Sequence, residues 1–348
     1  MRTLASVQKI ESVLPHTNAD SLEIARVLGW NVVVKKGEFK AGDLCVYVEC
    51  DSILPERPEF EFMRSKKFRV KTIKLRGQVS QGICFPLSIL PQDCDLYYKS
   101  VPYVDDDCTE ILGIVKYDPE VAMNHGGPNA LHISTFPSFI PKTDEVRVQS
   151  MPRLLSDYKG TLCYATEKLD GSSFTAYYTR GKDGDHMGIC SRNQEIKPIP
   201  ENAGNVFYEV AKQYNLFENM HEWYCNIAIQ GEVIGPKIQG NRYNLKKPEL
   251  RLFSILFIND WIYGNLGKLE EVSRALKIPT APIIKDAFKL PATVDEMVEM
   301  SKGVSELNPS VPREGIVVRS WNHIPDPNHK VSKLSFKVIN PDYLLKYE

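Results

Sequence analysis

The chain has 348 residues, with 43 Lys+Arg against 44 Asp+Glu and a net charge of −1. Hydrophobic residues make up 43% and charged residues 25%, a core-forming composition that excludes collagen, coiled coil and wholesale disorder. The charge balance also excludes a bulk polycation that coats nucleic acid, so any site for a polyanion has to be a local patch.

No apolar run reaches the roughly 18 residues of a membrane span. The N-terminal residues alternate polar and apolar types and read as lacking a secretory core. Eight Cys at 45, 50, 84, 94, 108, 163, 190 and 225 form no CxxC pair. They read as reduced thiols of an intracellular protein, not as disulfides or a zinc site. The seven His show no HxxxH or HxH spacing, so a His metal site or a Ser-His-Asp triad has no support.

In chain order, the first ninety residues read as all-β. Strands are expected at Leu22–Val27, Asn31–Val34, Leu44–Val48, Arg69–Leu75 and Gly82–Pro86, separated by turn signals such as Lys36-Gly37 and Arg76-Gly77. Short strands at this spacing predict a small barrel or sandwich. Residues 91–136, with Asp105-Asp106-Asp107 and His125-Gly126-Gly127-Pro128, read as a linker or crossing segment. The expected division is 1–125 and 126–348. Beyond it, strands are predicted at Leu162–Lys168, Ser173–Thr179, Met187–Ser191, Ile227–Ile234, Arg251–Asn259, Gly315–Ser320 and Lys333–Val338. Helices are predicted at Asn202–Asn215, Leu266–Leu276 and Val294–Lys302, the first because Val206, Val210, Ala211 and Tyr214 share a face. The fold class is therefore α+β, an all-β front followed by a mixed domain.

The sharpest chemical feature is Thr166-Glu167-Lys168-Leu169-Asp170-Gly171-Ser172-Ser173. An apolar strand that ends on a lysine before a glycine turn lifts one amine out of the core. Lysine becomes a nucleophile only when deprotonated, through desolvation or neighbouring charge. Alone, the segment could equally be a solvated strand end and a turn. Downstream, however, come Ser191-Arg192-Asn193, Gln230-Gly231-Glu232, Phe253 within Phe-x-x-x-Phe, Glu314-Gly315-Ile316-Val317-Val318-Arg319 and Ser335-Phe336-Lys337. Each polar residue lies in or at the end of a predicted strand, so all can converge on one cleft.

This set, in this order, resembles motifs I, Ia, III, IIIa, IV and V of the covalent nucleotidyltransferases, which include polynucleotide ligases and mRNA capping enzymes. Only 11 residues follow Lys337, where DNA ligases and capping enzymes carry a further OB domain. The front segments Pro15–Ala25 and Arg76–Ile83 resemble OB modules that bind tRNA. An OB-type barrel first and a ligase-type domain of antiparallel sheets with helices last is the layout of one ATP-dependent RNA ligase family. Pro141–Gln149 before motif I and Ile238–Tyr243 after motif III resemble that family too. One departure stands out. RNA ligases often carry Lys-x-Lys in motif V, whereas this chain has Ser335-Phe336-Lys337, with Lys333 two residues earlier.

The resemblance implies a ligase joining 3′-OH and 5′-phosphate RNA ends, with ATP as substrate and Mg²⁺ or Mn²⁺ as cofactor. Lys168 would form lysyl-AMP. Glu167 would accept from the adenine amino group, and Arg147 would grip the phosphates. Arg192 would approach the ribose or the RNA end, and Glu232 the ribose hydroxyl. Phe253, with Phe257 as its competitor, would stack on adenine, and Lys337 would touch the α-phosphate. Glu314, Glu232 and Asp170 would hold the cation, mainly through water. A capping-type guanylyltransferase, a DNA ligase and a non-catalytic RNA-binding relative are the alternatives. In the front domain, Arg64, Lys66, Lys67, Arg69, Lys71, Lys74 and Arg76 place seven cations in 13 residues, with Phe68 interleaved. That pattern reads as a strand tracking an RNA backbone, with one stacking ring. The competing reading is a solvated edge strand. The expected partner is RNA with nicked or broken ends. No membrane and no obligate protein partner is called for.

Overall fold

The structure, a computed structural model, describes residues 3–92, 94, 96, 102–117, 133–182, 184–202, 204–223, 225–325 and 333–347. The His125–Pro128 linker segment lies outside the described residues. The chain divides into two compact units, one of 1–125 with 149–152 and 344–348, the other of 126–148 with 153–343.

In the first unit the strands are β1 (Ala5–Pro15), β2 (Leu22–Val27), β3 (Trp30–Lys35), β4 (Leu44–Val48), β5 (Ser52–Ile53), β6 (Thr72–Leu75), β7 (Gln78–Gln81), β8 (Ile83–Pro86) and β9 (Val115–Lys116). The main sheet runs β3-β2-β1-β4-β8, antiparallel throughout. β1 pairs with β4 through Ala5–Lys9 and with β2 through Ile10–Pro15. An irregularity between Ile10 and Ser12 bends it from one partner to the other, as bulges do at barrel corners. This central strand was not expected, because Ser6, Gln8, Lys9 and Glu11 dilute its apolar run. Trp30, Tyr47 and Ile10 fill one core, and Phe60, Phe68, Leu54 and Phe85 fill a second.

The basic run does not form one strand. Arg64 and Lys66 close a 3-10 helix, Pro58–Lys66. Lys67 and Phe68 then both take left-handed backbone, φ 51° and 56°, and the Phe68 N–H closes on the Met63 carbonyl. Such conformations are uncommon for residues with a Cβ and mark a tight turn. The expected strand Arg69–Leu75 starts only at Thr72, in a separate hairpin with β7 that turns at Arg76-Gly77.

The second unit holds β10 (Ile133–Thr135), β11 (Val146–Arg147), β12 (Leu162–Lys168), β13 (Ser172–Gly181), β14 (Gly184–Cys190), β15 (Gln194–Ile196), β16 (Ile227–Ile234), β17 (Glu249–Phe257), β18 (Ile262–Tyr263), β19 (Ile283–Lys289), β20 (Gly315–Ser320) and β21 (Ser335–Ile339). One sheet runs β10-β15-β14-β13-β16-β17-β18 and the other β11-β21-β20-β12-β19. All pairings are antiparallel except β11 with β21. The helix Leu266–Leu276 packs its apolar side on the first sheet, and the helix Val294–Ser301 packs on the second. The single helix expected over Asn202–Asn215 is two. Asn205 accepts from the Phe207 N–H to start Val206–Gln213, and Asn215, in left-handed backbone, breaks the chain before Leu216–His221.

Candidate active site

Strand register assembles the site. β12 lies against β20 with Lys168 opposite Gly315, so Glu314 arrives beside the lysine. Lys168 Nζ lies 2.5 Å from Glu314 Oε1. Gly315 has φ 153°, and a Cβ there would stand 2.1 Å from the Val338 carbonyl oxygen. Only glycine lets β21 come this close behind Glu314. On the other sheet β13 starts just after the Gly171 turn, and Ser173 sits opposite Glu232 of β16. A Cβ at Gly171 would meet the Val233 carbonyl oxygen at 2.4 Å and Glu232 Cγ at 2.7 Å, so the turn packs directly on that carboxylate.

Three carboxylates thus surround one amine. Burial opposes the charge on Lys168, but Glu314, Glu232 and Asp170 outweigh it and hold the amine above the ordinary lysine range. Burial, with repulsion from Glu314 and Asp170, pushes the Glu232 carboxyl up to about 8 even though Lys168 opposes it. Burial likewise raises Glu314, whose Oε2 is enclosed with no hydrogen-bond partner among the described residues. Asp170 is held from three sides. Its N–H donates to the Tyr243 hydroxyl at 2.7 Å, and its carboxylate takes Arg242 Nε at 3.3 Å and the Tyr343 hydroxyl. No motif spacing announced Tyr343, which lies 173 residues from its partner. Arg242 and Tyr243 stood in a segment noted for its resemblance, without a role.

Lys337 on β21 lies opposite Val317 and beside Arg147 of β11, which is buried. Two of the expected phosphate-gripping cations therefore sit side by side. Arg192 is paired with Asp144, and its charge reaches Glu232. Glu167 departs from this group. Side chains alternate along a strand, and Glu167 faces away from Lys168. Its Oε2 accepts from the Glu306 N–H at 2.9 Å, while its Oε1 is buried with no hydrogen-bond partner among the described residues. Burial raises its pKa. The two phenylalanines separate. Phe253 lines a cavity of about 230 Å³ together with Gln230, Ser254 and Lys333, whereas Phe257 packs on the main core.

In the first unit Phe68 is only 5% exposed and packs among Phe60, Phe85 and Val70. Its ring is not offered to a base, because the left-handed turn drives it inward. Arg69 bonds Asp51 at 3.3 Å and lies over the Tyr117 ring at 3.6 Å. Arg64 is paired with Glu61 and Glu56. Lys66, Lys67, Lys74 and Arg76 are exposed, and Lys71 is half-buried.

Two facing sheets with a lysine at a strand end, acidic residues around it and paired cations beyond it define a cleft suited to covalent nucleotide transfer. A family profile described as OB-fold domain matches residues 4–87, and the RNA ligase profile matches residues 162–339. Among solved structures, an apo mutant of Naegleria gruberi RNA ligase is 35% identical over 99% of this chain and 98% of that one, with a TM-score of 0.84. A lysine mutant of that ligase with ATP and Mn matches at 35% identity over the same shares and at the same TM-score. A glutamate mutant with AMP and Mn is 34% identical over 99% of both chains, TM-score 0.84. A search of curated proteins finds no match. The chain belongs to the RNA ligase family. No helix among the described residues is long and apolar enough to cross a membrane.

Proposed function

We propose that this protein is an ATP-dependent RNA ligase that seals 3′-OH and 5′-phosphate ends at nicks or breaks. In this reading residues 1–125 form an OB-type RNA-binding domain with its linker, and residues 126–348 form the nucleotidyltransferase domain. The observation that carries the reading is Lys168 at the end of β12, ringed by Glu314, Glu232 and Asp170.

Deprotonated Lys168 attacks the α-phosphorus of ATP. A P–N bond forms, the bond to pyrophosphate breaks, and AMP stays on the amine. The RNA 5′-phosphate then takes the AMP, and the 3′-OH displaces it. Splitting the joining this way keeps the phosphate activated on the enzyme between partners. Lys337 and Arg147, register partners on adjacent strands, meet charge developing on the phosphates. Glu232 binds the ribose hydroxyl, and Arg192 the ribose or RNA end. Phe253 stacks on adenine, and Glu167, whose buried Oε1 has no hydrogen-bond partner among the described residues, accepts from its amino group.

The residues also fit a divalent cation. Asp170, Glu232 and Glu314 crowd their negative charge around one lysine, and Glu314 Oε2 lacks a partner among the described residues. No group of three His, Cys, Asp or Glu among the described residues is close enough to hold a metal directly. A carboxylate set of this kind suits Mg²⁺ or Mn²⁺ held through retained water. Bound there, the cation supplies positive charge that replaces the lysine's own, so Lys168 can lose its proton.

Incubation with α-labelled ATP and Mg²⁺ or Mn²⁺, followed by a denaturing gel, tests the proposal. A labelled protein band is expected, and labelled GTP should give none. Absence of label from ATP, or label from GTP instead, overturns it.

A further inference from the structure

Motif V of this chain lacks the first lysine of Lys-x-Lys. Ser335 stands there, and its hydroxyl donates to Glu145 Oε1 at 2.7 Å. The preceding cation, Lys333, is no more than about 14 Å along the chain from Lys337. That is comparable to the span of a nucleotide from its phosphate to the far edge of its base. Lys333 Nζ lies 3.1 Å from Ser254 Oγ and 3.3 Å from the centre of the Tyr263 ring. It therefore reaches across from the β21 side to β17 and β18. It lines the same cavity as Phe253, with Gln230 and Ser254. The cavity adjoins the Lys168 cleft. Thr143, in its wall, has its Oγ1 2.6 Å from Ser173 Oγ, and Ser173 is opposite Glu232.

We propose that Lys333 is a specificity residue that donates a hydrogen bond to N1 of adenine while Phe253 stacks on the base. This rests on the ligase reading above and deepens it. Nζ has more than one N–H, and only one is needed for Ser254. Burial, with Arg319 nearby, lowers the lysine to about 7, which suits contact with an uncharged base better than one with a triphosphate. Guanine carries a hydrogen on N1 where adenine has a lone pair, so a donor fixed at N1 favours ATP over GTP, whereas N3 and N7 accept in both bases. Leaving a buried donor unsatisfied is what makes such discrimination effective.

The test measures lysyl-AMP formation with ATP and with its 1-deaza, 3-deaza and 7-deaza analogues, in the wild type and in Lys333→Met and Lys333→Gln. In the wild type the 3-deaza and 7-deaza analogues should behave like ATP, and the 1-deaza analogue should have a KM raised on the order of tenfold, the size of one missing hydrogen bond. Lys333→Met should raise KM for ATP more than it lowers kcat, and should erase the difference between ATP and that analogue. Lys333→Gln, which keeps a donor, should restore part of it. If the 1-deaza analogue does not differ from ATP by more than threefold in the wild type, N1 is not read and the proposal falls, whatever the variants do. It falls too if Lys333→Met keeps the wild-type analogue pattern, or if its only change is weaker inhibition by pyrophosphate, which would turn the lysine toward the phosphates. Label transfer from ATP to the wild type tests the ligase reading separately.

Discussion

The cleft around Lys168 and the surface between Arg64 and Arg76 are both dense in charge, and their charges do different work. In the cleft, strand register and side-chain hydrogen bonds fix the charged groups. Lys168 is held against Glu314, Asp170 is gripped by Tyr243, Arg242 and Tyr343, and Lys337 lies beside Arg147. Charges in such places shift one another's proton affinity and can serve as nucleophile or electrostatic clamp. On the front surface the cations are split among a 3-10 helix, a left-handed turn and a hairpin. Two of them, Arg64 and Arg69, are tied to local acids, and the exposed ones keep ordinary long-range attraction for a polyanion. A high count of like charges therefore says little until one knows which are already engaged.

The contrast can be broken from either side. Lys168→Ala should abolish label transfer from ATP and sealing of 5′-phosphate RNA, while RNA already carrying a 5′-adenylate should still be joined. Label retained in this variant would remove Lys168 from the mechanism. Lys337→Ala should lower the rate of lysyl-AMP formation by about 10²–10³, mostly in kcat, if it clamps charge that develops in the transition state. A change within threefold under single-turnover conditions would mean that β21 does not face the phosphates.

On the front surface, Phe68→Ala should destabilise the first unit by about 3–5 kcal/mol, since it empties a core position. Chemical denaturation should show this as a lower midpoint, and Lys66→Ala should leave the midpoint within experimental scatter. The smallest effect sharpens the comparison most. Neutralising Lys66, Lys67, Lys74 and Arg76 together should flatten the plot of log RNA affinity against log salt by about 0.7–0.9 for each phosphate that no longer meets a cation. Arg69→Gln should leave that slope unchanged, because Asp51 and Tyr117 already occupy its guanidinium. An unchanged slope in the quadruple variant would move the RNA grip off this surface.

How far the sequence could be read follows the same division. β12 and β20 were legible because each is an apolar run bounded by a site residue, Lys168 closing the first and Glu314 preceding the second, and β16 because apolar residues flank Gln230-Gly231-Glu232 on both sides. β1 was hidden because its polar residues are absorbed by pairing on both sides. β19 was hidden because its middle, Lys285-Asp286-Ala287, is exposed and shows no alternation. The turn at Lys67–Phe68 could not be read, since neither residue type favours left-handed backbone. With the turn unseen, Phe68 looked like a ring among cations when it is a core residue. The grip of Tyr343 on Asp170 depends on tertiary closure alone.

The Gly171 turn, packed against Glu232 with no room for a Cβ, couples two groups that the sequence separates by some sixty residues. Any side chain at 171 would displace the carboxylate or tilt the strand beneath it. Changes at these positions should then be strongly epistatic: a new residue at either is tolerable only if the other shifts with it. Variation that retunes the proposed nucleotide pocket has freer paths elsewhere, through cavity walls such as Phe253 and Lys333.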